Sequence, residues 1–163
     1  MQKADDSMFT FTDYYNNQVK LSFEDHPFSK DPKHVWVICR YKDKWLLTKH
    51  KERGMEFPGG KVEVGETAEQ AAIREVGEET GGIVASIRYI GQYFVDGKRQ
   101  QVVKNVYYAL IEKLIVKDSY LETEGPHLLR KLPNNVKYLE VYSFLMKDDV
   151  LKHTLRHIEE NKL

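Results

Sequence analysis

Residues 57–82 read F-P-G-G-K-V-E-V-G-E-T-A-E-Q-A-A-I-R-E-V-G-E-E-T-G-G, and they constrain the fold more than any other stretch. Gly59 and Gly60 open the segment, and Gly81 and Gly82 close it. Thr67 and Gln70 form the T-x-x-Q pattern of a capping box, and Gly81 supplies a C-terminal stop, so the spacing predicts a helix beginning after Thr67. At about 100° per residue, Glu75, Glu78 and Glu79 fall within about 100° of one another. Ala68, Ala71 and Ala72 share that side, leaving little bulk beside the acids. Ile73, Val76 and Thr80 lie on the neighbouring arc, the face expected to pack on a core.

A solvated acidic stripe accounts poorly for this clustering. Glu75 and Glu79 are like charges at i,i+4, a spacing that costs a few tenths of a kcal/mol even when exposed. Gathered in a cleft about 4 Å apart, two carboxylates repel by roughly 4 kcal/mol at an effective dielectric near 20. A divalent cation reverses that sign. Three carboxylates with no cysteine or histidine among them suit a hard ion, Mg²⁺ or Mn²⁺. Glu66, just ahead of the helix, could reach the same ion, and Arg74, paired with Glu78 at i,i+4, balances the face.

The spacing Gly60, five residues, Glu66, seven residues, Arg74-Glu75-Val76-x-Glu78-Glu79-x-Gly81 is similar to the Nudix box of the Nudix hydrolase family. The one departure is Gly82, where the family usually has an aliphatic residue; it leaves the charged set untouched. E-F-P-G-G-K, running from Glu56 to Lys61, resembles the MutT branch. H-V-W-V-I-C-R, W-L-L-T-x-H, I-G-Q-Y and E-T-x-G-P extend the likeness to MutT-type nucleoside triphosphatases over residues 8 to about 151.

The resemblance implies an α/β/α sandwich with a mixed sheet, a catalytic helix and C-terminal helices. It also implies hydrolysis of nucleoside triphosphates, oxidised 8-oxo-dGTP included, to the monophosphate and pyrophosphate. Glu75, Glu78 and Glu79 would hold the ion, and the Gly59 or Gly60 carbonyl could add an oxygen, since glycine permits close backbone approach. Arg74 either fixes a ligating carboxylate or forms a plain surface pair; Glu66 is either an outer ligand or a structural acid. In MutT relatives a loop glutamate after the second hairpin is the general base. Glu124 is the best match and Glu122 the second; either is otherwise a solvated acid, and the box glutamates are a further source of base. A MutT asparagine reads the base edge, which points to Asn134 or Asn135 in L-P-N-N, although that pair also suits a turn.

Substrate phosphates need cations, and Lys61, Lys49 and Arg53 are the candidates near the glycines; each is otherwise a surface charge. Tyr93, Phe94, Tyr107 and Phe11 are candidates to stack on a base, or else core and sheet-surface residues. Two other readings stay open. An RNA 5′ pyrophosphohydrolase would use the same site on a triphosphorylated end, and a non-catalytic nucleotide-sensing module would usually carry a degraded box.

The rest of the chain sets limits. A length of 163 residues suits one domain, expected over residues 8–163 after a polar, flexible leader at 1–7. Lys plus Arg and Asp plus Glu both number 25, so no global field draws duplex DNA or a membrane. A lone cysteine, Cys39 in V-W-V-I-C, reads as a buried strand thiol and excludes an internal disulfide. No apolar run reaches membrane-spanning length and no signal-peptide core is present, so a cytoplasmic protein is expected. Oligomeric state is left open. Alternation predicts a hairpin over residues 8–24, turning near Asn16 and Asn17. Strands are expected at 34–40 and 45–50, a basic loop at 51–54, and a long hairpin over 84–95 and 101–111. Residues 114–133 read as irregular with a short extended piece at 127–132, and 137–162 as helical, with a break at Lys147-Asp148-Asp149.

Overall fold

A computed structural model describes residues 8–163; the expected leader lies outside the described residues. In chain order the elements are β1 (Met8–Thr12), β2 (Gln18–Ser22), β3 (His34–Tyr41), β4 (Lys44–His50), β5 (Gly54–Glu56), β6 (Gly59–Lys61), α1 (Ala68–Thr80), β7 (Gly82–Asp96), β8 (Gln101–Leu114), β9 (Thr123–Leu129) and α2 (Asp149–Glu160). The strands form one sheet in the order β1-β2-β7-β8-β3-β4-β5, with β6 added on β3 and β9 on β4. Only β3 and β8 run parallel, so the sheet is mixed.

The central strand β3 lacks polar alternation because both of its faces are covered. Val35, Val37 and Cys39 pack with Ala71, Ala72 and Val76 of α1. Trp36 and Ile38 point the other way, into a cluster that includes Val150, Leu151 and Ile158 of α2. Helices on both faces give the expected α/β/α layering. Cys39 is fully buried, and that burial pushes its thiol well above the ordinary range. Among the described residues no helix is long and apolar enough to cross a membrane.

Three expectations change. Residues 137–162 hold one α-helix rather than two. Val136–Tyr138 and Phe144–Met146 are single 3₁₀ turns, and the Asp148 side chain accepts from the Val150 N–H at 2.9 Å to cap α2. The polar triad is thus the start of the helix. The extended piece expected at 127–132 starts earlier and ends earlier: residues 123–129 form β9, antiparallel to β4 from Trp45–Leu129 through Thr48–Pro126. Gly125 and Pro126 mask it, but β9 pairs only with β4, and an edge strand tolerates proline. On α1 the packed arc is shifted: Ala71, Ala72, Val76, Glu79 and Thr80 are buried, and Ile73 is exposed. The alanines are the contact surface, small enough to let the helix lie close on the sheet, and this brings Glu79 down with them.

Both ends of α1 are fixed as the capping pattern requires. The Thr67 hydroxyl accepts from the Gln70 N–H at 3.1 Å, and the Gln70 side chain accepts from the Thr67 N–H at 2.9 Å. At the other end Gly81 is left-handed, φ 74°, and its N–H donates to the Gly77 carbonyl. Its own carbonyl accepts from the Ile115 N–H at 2.9 Å, tying the chain beyond β8 to the helix terminus.

Candidate active site

Trp36, Gly59, Gly60, Glu56, Glu75 and Lys104 lie on the walls of a cleft of about 540 Å³. The F-P-G-G-K segment crosses its floor as β6, paired with β3. At Gly60 a Cβ would stand 2.6 Å from the Glu75 carboxylate, so a side chain there would push that carboxylate aside. At Gly59 a Cβ would meet the Val35 carbonyl oxygen at 2.5 Å, and its N–H faces Glu79 Oε1 at 3.4 Å.

Arg74 organises the acids. It grips Glu66 with both arms of its fork, Nε to Oε2 at 3.1 Å and Nη2 to Oε1 at 2.7 Å. Its Nη1 reaches Glu75 Oε1 at 2.8 Å and Glu78 Oε2 at 3.2 Å, and Nη2 also donates to the Lys61 carbonyl at 2.9 Å. Both Glu66 oxygens are therefore taken up by Arg74, and Oε1 also accepts from the Glu63 N–H. The bond to Arg74 holds the Glu66 carboxyl below its usual range. The i,i+4 pair with Glu78 is only part of a hub that also reaches Glu63 Oε1 at 3.6 Å.

Glu79 is 7% exposed and in hydrogen-bonding contact with Glu75. Burial, then the Glu75 contact, raise the Glu79 carboxyl well above the ordinary carboxylate range. Burial also raises Glu75, while Arg74 pulls it back. Among the described residues no three histidine, cysteine, aspartate or glutamate side chains converge tightly enough to hold an ion. Instead Glu75 and Glu79 meet beside the glycines, while Glu78 turns to Arg74. Two touching carboxyls, one of them held protonated by burial, form a donor set that fits a hard divalent cation once ionised.

A carboxyl whose folded pKa lies above its unfolded value keeps a proton that the unfolded chain has lost, so stability falls as pH rises past the ordinary carboxylate range. Asp148, pushed up to about 7 by burial, acts in the same sense, whereas His34, His153 and His157, lowered by burial, act in the opposite one. A difference isolates Glu79. The melting temperature of metal-free Glu79→Gln minus that of the wild type is expected to grow between about pH 5 and about pH 8, as followed by circular dichroism. A gap independent of pH would show that Glu79 ionises freely in the folded chain.

The other expected site residues divide. Lys61 lines the cleft. Arg53 does too, but it is committed to Glu56, Nε to Oε1 at 3.0 Å and Nη2 to Oε2 at 2.9 Å. Lys49 pairs with Glu124 at 3.3 Å, both half-exposed on β4 and β9, and neither lines the cleft. Glu122 does line it, 4.0 Å from His50 Nε2. Asn134 and Asn135 are not brought to the cleft: Asn134 borders a separate hollow against α2, and Asn135 precedes the 3₁₀ turn at Val136. The turn reading of L-P-N-N is the one the backbone follows. Of the four aromatics, Tyr93 borders a second chamber of about 350 Å³. Tyr107 packs in the cluster under α1 and Phe11 beside the one under α2. Phe94 lies 6.0 Å from the Phe28 ring.

Among the cleft-wall residues with no earlier expectation as a site are Glu56, buried to 1% exposure, and the cross-strand partners His34 and Lys104. Glu56 had a signal in E-F-P-G-G-K itself. For His34 and Lys104 the signal is the parallel β3–β8 register, which sequence spacing does not carry.

This arrangement, with its glycine floor, capped acidic helix and arginine hub inside an α/β/α sandwich, is that of a Nudix hydrolase. The chain matches the NUDIX domain over residues 29–149 and belongs to that family. It is similar to Bacillus subtilis YtkD, provisionally named an 8-oxo-dGTP diphosphatase, at 56% identity over 94% of this chain and 98% of YtkD. It also matches the crystal structure of a glutamate-to-alanine mutant of the B. subtilis pyrophosphohydrolase BsRppH, with a TM-score of 0.94 and 56% identity, over 94% of this chain and 98% of that one. Against the Escherichia coli 8-oxo-dGTP diphosphatase, 59% identity is confined to 32 residues, 20% of this chain and 25% of that protein.

Proposed function

We propose that this chain hydrolyses nucleoside triphosphates, 8-oxo-dGTP among them, to the nucleoside monophosphate and pyrophosphate, with Mg²⁺ or, in its place, Mn²⁺. The observation that carries this reading is the Glu75–Glu79 pair beside Gly59 and Gly60, with Glu75 on the cleft wall and Glu79 buried behind it. Two carboxyls forced together at that cost gain a purpose when they hold a cation. When bound, such an ion neutralises phosphate charge and activates water at neutral pH. Glu75 and Glu79 would hold it, with Glu78 available once released from Arg74. Arg74 orients Glu75 and keeps Glu66 fixed behind it. Lys61 faces the polyphosphate. Of the two loop acids, Glu122 on the cleft wall is better placed than Glu124, tied to Lys49, to take a proton from attacking water. The nucleoside extends into the chamber bordered by Tyr93 and Phe144. Sanitation of a nucleotide pool would put the protein in the cytoplasm.

A second reading is a pyrophosphohydrolase acting on triphosphorylated RNA 5′ ends. Its support is the second chamber opening from the cleft, together with the likeness to BsRppH. Turnover of dGTP, 8-oxo-dGTP, ATP and triphosphorylated RNA, with products resolved by chromatography, tests both. Pyrophosphate release is expected in Mg²⁺ and its loss in excess chelator. Undiminished turnover in chelator, or binding without turnover, would refute the proposal, the latter in favour of a sensing module. Preference for RNA over every free nucleotide would select the second reading.

A further inference from the structure

The acidic cleft and the second chamber share one stretch of wall. His34, Lys104, Phe144 and Leu145 border both. On one side lie Glu75, Glu56, Gly59 and Gly60; on the other lie Tyr15, Tyr93, Val95 and Val102. His34 and Lys104 sit side by side as register partners of the parallel strands β3 and β8.

Neither has the partner its chemistry asks for. Lys104 forms no ion pair among the described residues, and its Nζ stands 5.7 Å from the centroid of the Tyr93 ring. His34 Nδ1 is buried with no hydrogen-bond partner. An ammonium without a counter-ion on the cleft wall and a buried ring nitrogen without a hydrogen-bond partner are each better satisfied by a ligand oxygen. We propose that Lys104, with His34 beside it, forms the subsite for the substrate's α-phosphate, and that Lys104 is the positioning residue that sets the phosphate chain against the box glutamates.

The inference rests on the reading of the cleft as a triphosphate site. In such a substrate the α-phosphate is the covalent link between polyphosphate and nucleoside. If these occupy the two chambers, the link must cross the wall they share. Burial pushes the Lys104 ammonium down to about 8, opposed by Asp148 ahead of α2, Glu56 on β5 and Asp13 in the β1–β2 turn, and assisted by Arg53. Those acids favour its charged form without pairing with it. His34, lowered by burial and then by Lys104 and Lys61, is neutral there and has one ring N–H to give.

The test uses the full chain and the variants Lys104→Met and Lys104→Arg. Titration calorimetry in chelator compares dGMP, which retains the α-phosphate, with deoxyguanosine, which lacks it. Lys104→Met is expected to weaken dGMP binding about tenfold or more and to leave deoxyguanosine within about twofold, the scale of one charge-assisted contact. With dGTP and Mg²⁺, KM should rise about tenfold while kcat stays within about threefold, and Lys104→Arg should recover most of the loss. Melting temperature should not fall, because Lys104 makes no ion pair among the described residues for the substitution to break. Unchanged dGMP affinity and KM, equal weakening of nucleoside and nucleotide, or a large fall in melting temperature would each overturn the subsite. Should the wild type turn over no triphosphate yet bind dGMP through Lys104, the hydrolase reading fails and the subsite stands.

Discussion

Replacing Glu79 with glutamine should cut Mg²⁺-dependent turnover about a thousandfold, equivalent to about 4 kcal/mol of transition-state stabilisation, and leave the fold intact. The amide matches the carboxyl in size, so packing against Gly59 and Val76 persists. What is lost is a negative oxygen at the point where Glu75 and Glu79 meet. Glutamine also removes an acid that burial penalises, so the metal-free variant should be at least as stable as the wild type. Glu78→Gln should likewise remove most activity while sparing the fold, although that side chain now faces Arg74. Steady-state kinetics across a Mg²⁺ titration decide the matter: near wild-type kcat for Glu79→Gln at saturating Mg²⁺ would remove Glu79 from any ligand role.

The largest expected stability loss from one added methyl group is at Gly81. Gly81→Ala is expected to destabilise the fold by about 3 kcal/mol, the sum of a left-handed non-glycine residue and a direct collision. The new Cβ would run into the Ile115 carbonyl oxygen. Relief would require giving up the Ile115–Gly81 hydrogen bond or unwinding the last turn of α1. That turn carries Glu78 and Glu79, so any residual folded protein should also show reduced activity. Urea unfolding reads the effect directly, and a shift below about 1 kcal/mol would mean that the α1 terminus tolerates the clash by moving.

Much of this architecture was legible in the residues. The T-x-x-Q box and Gly81 fix α1 through local hydrogen bonds, and a local code can be read locally. The run H-V-W-V-I-C-R marks a strand covered on both sides for the same reason. What escaped notice depends on distant pairing. β9 carries Gly125 and Pro126, and only its edge position beside β4 makes them acceptable. Ile73 carries the apolar character of a core residue but is exposed, because Ala71 and Ala72 set how closely α1 approaches the sheet. Arg53, a candidate for phosphate or else a surface charge, is gripped by Glu56 through Nε and Nη2, a pairing that the spacing alone does not announce. Asn134 and Asn135 serve the backbone of a turn, away from the cleft. Lys104 reaches the cleft only through the parallel pairing of β8 with β3, which no local pattern encodes.

The arginine hub has one more consequence. By threading a guanidinium among Glu66, Glu75 and Glu78, the chain carries a resident counter-charge for its most anionic surface. Folding of α1 would then not depend on metal supply, in contrast to small domains that collapse when their ion is withdrawn. A cation held by Glu75 and Glu79 would then serve turnover alone, and the scaffold that receives it would stand without it.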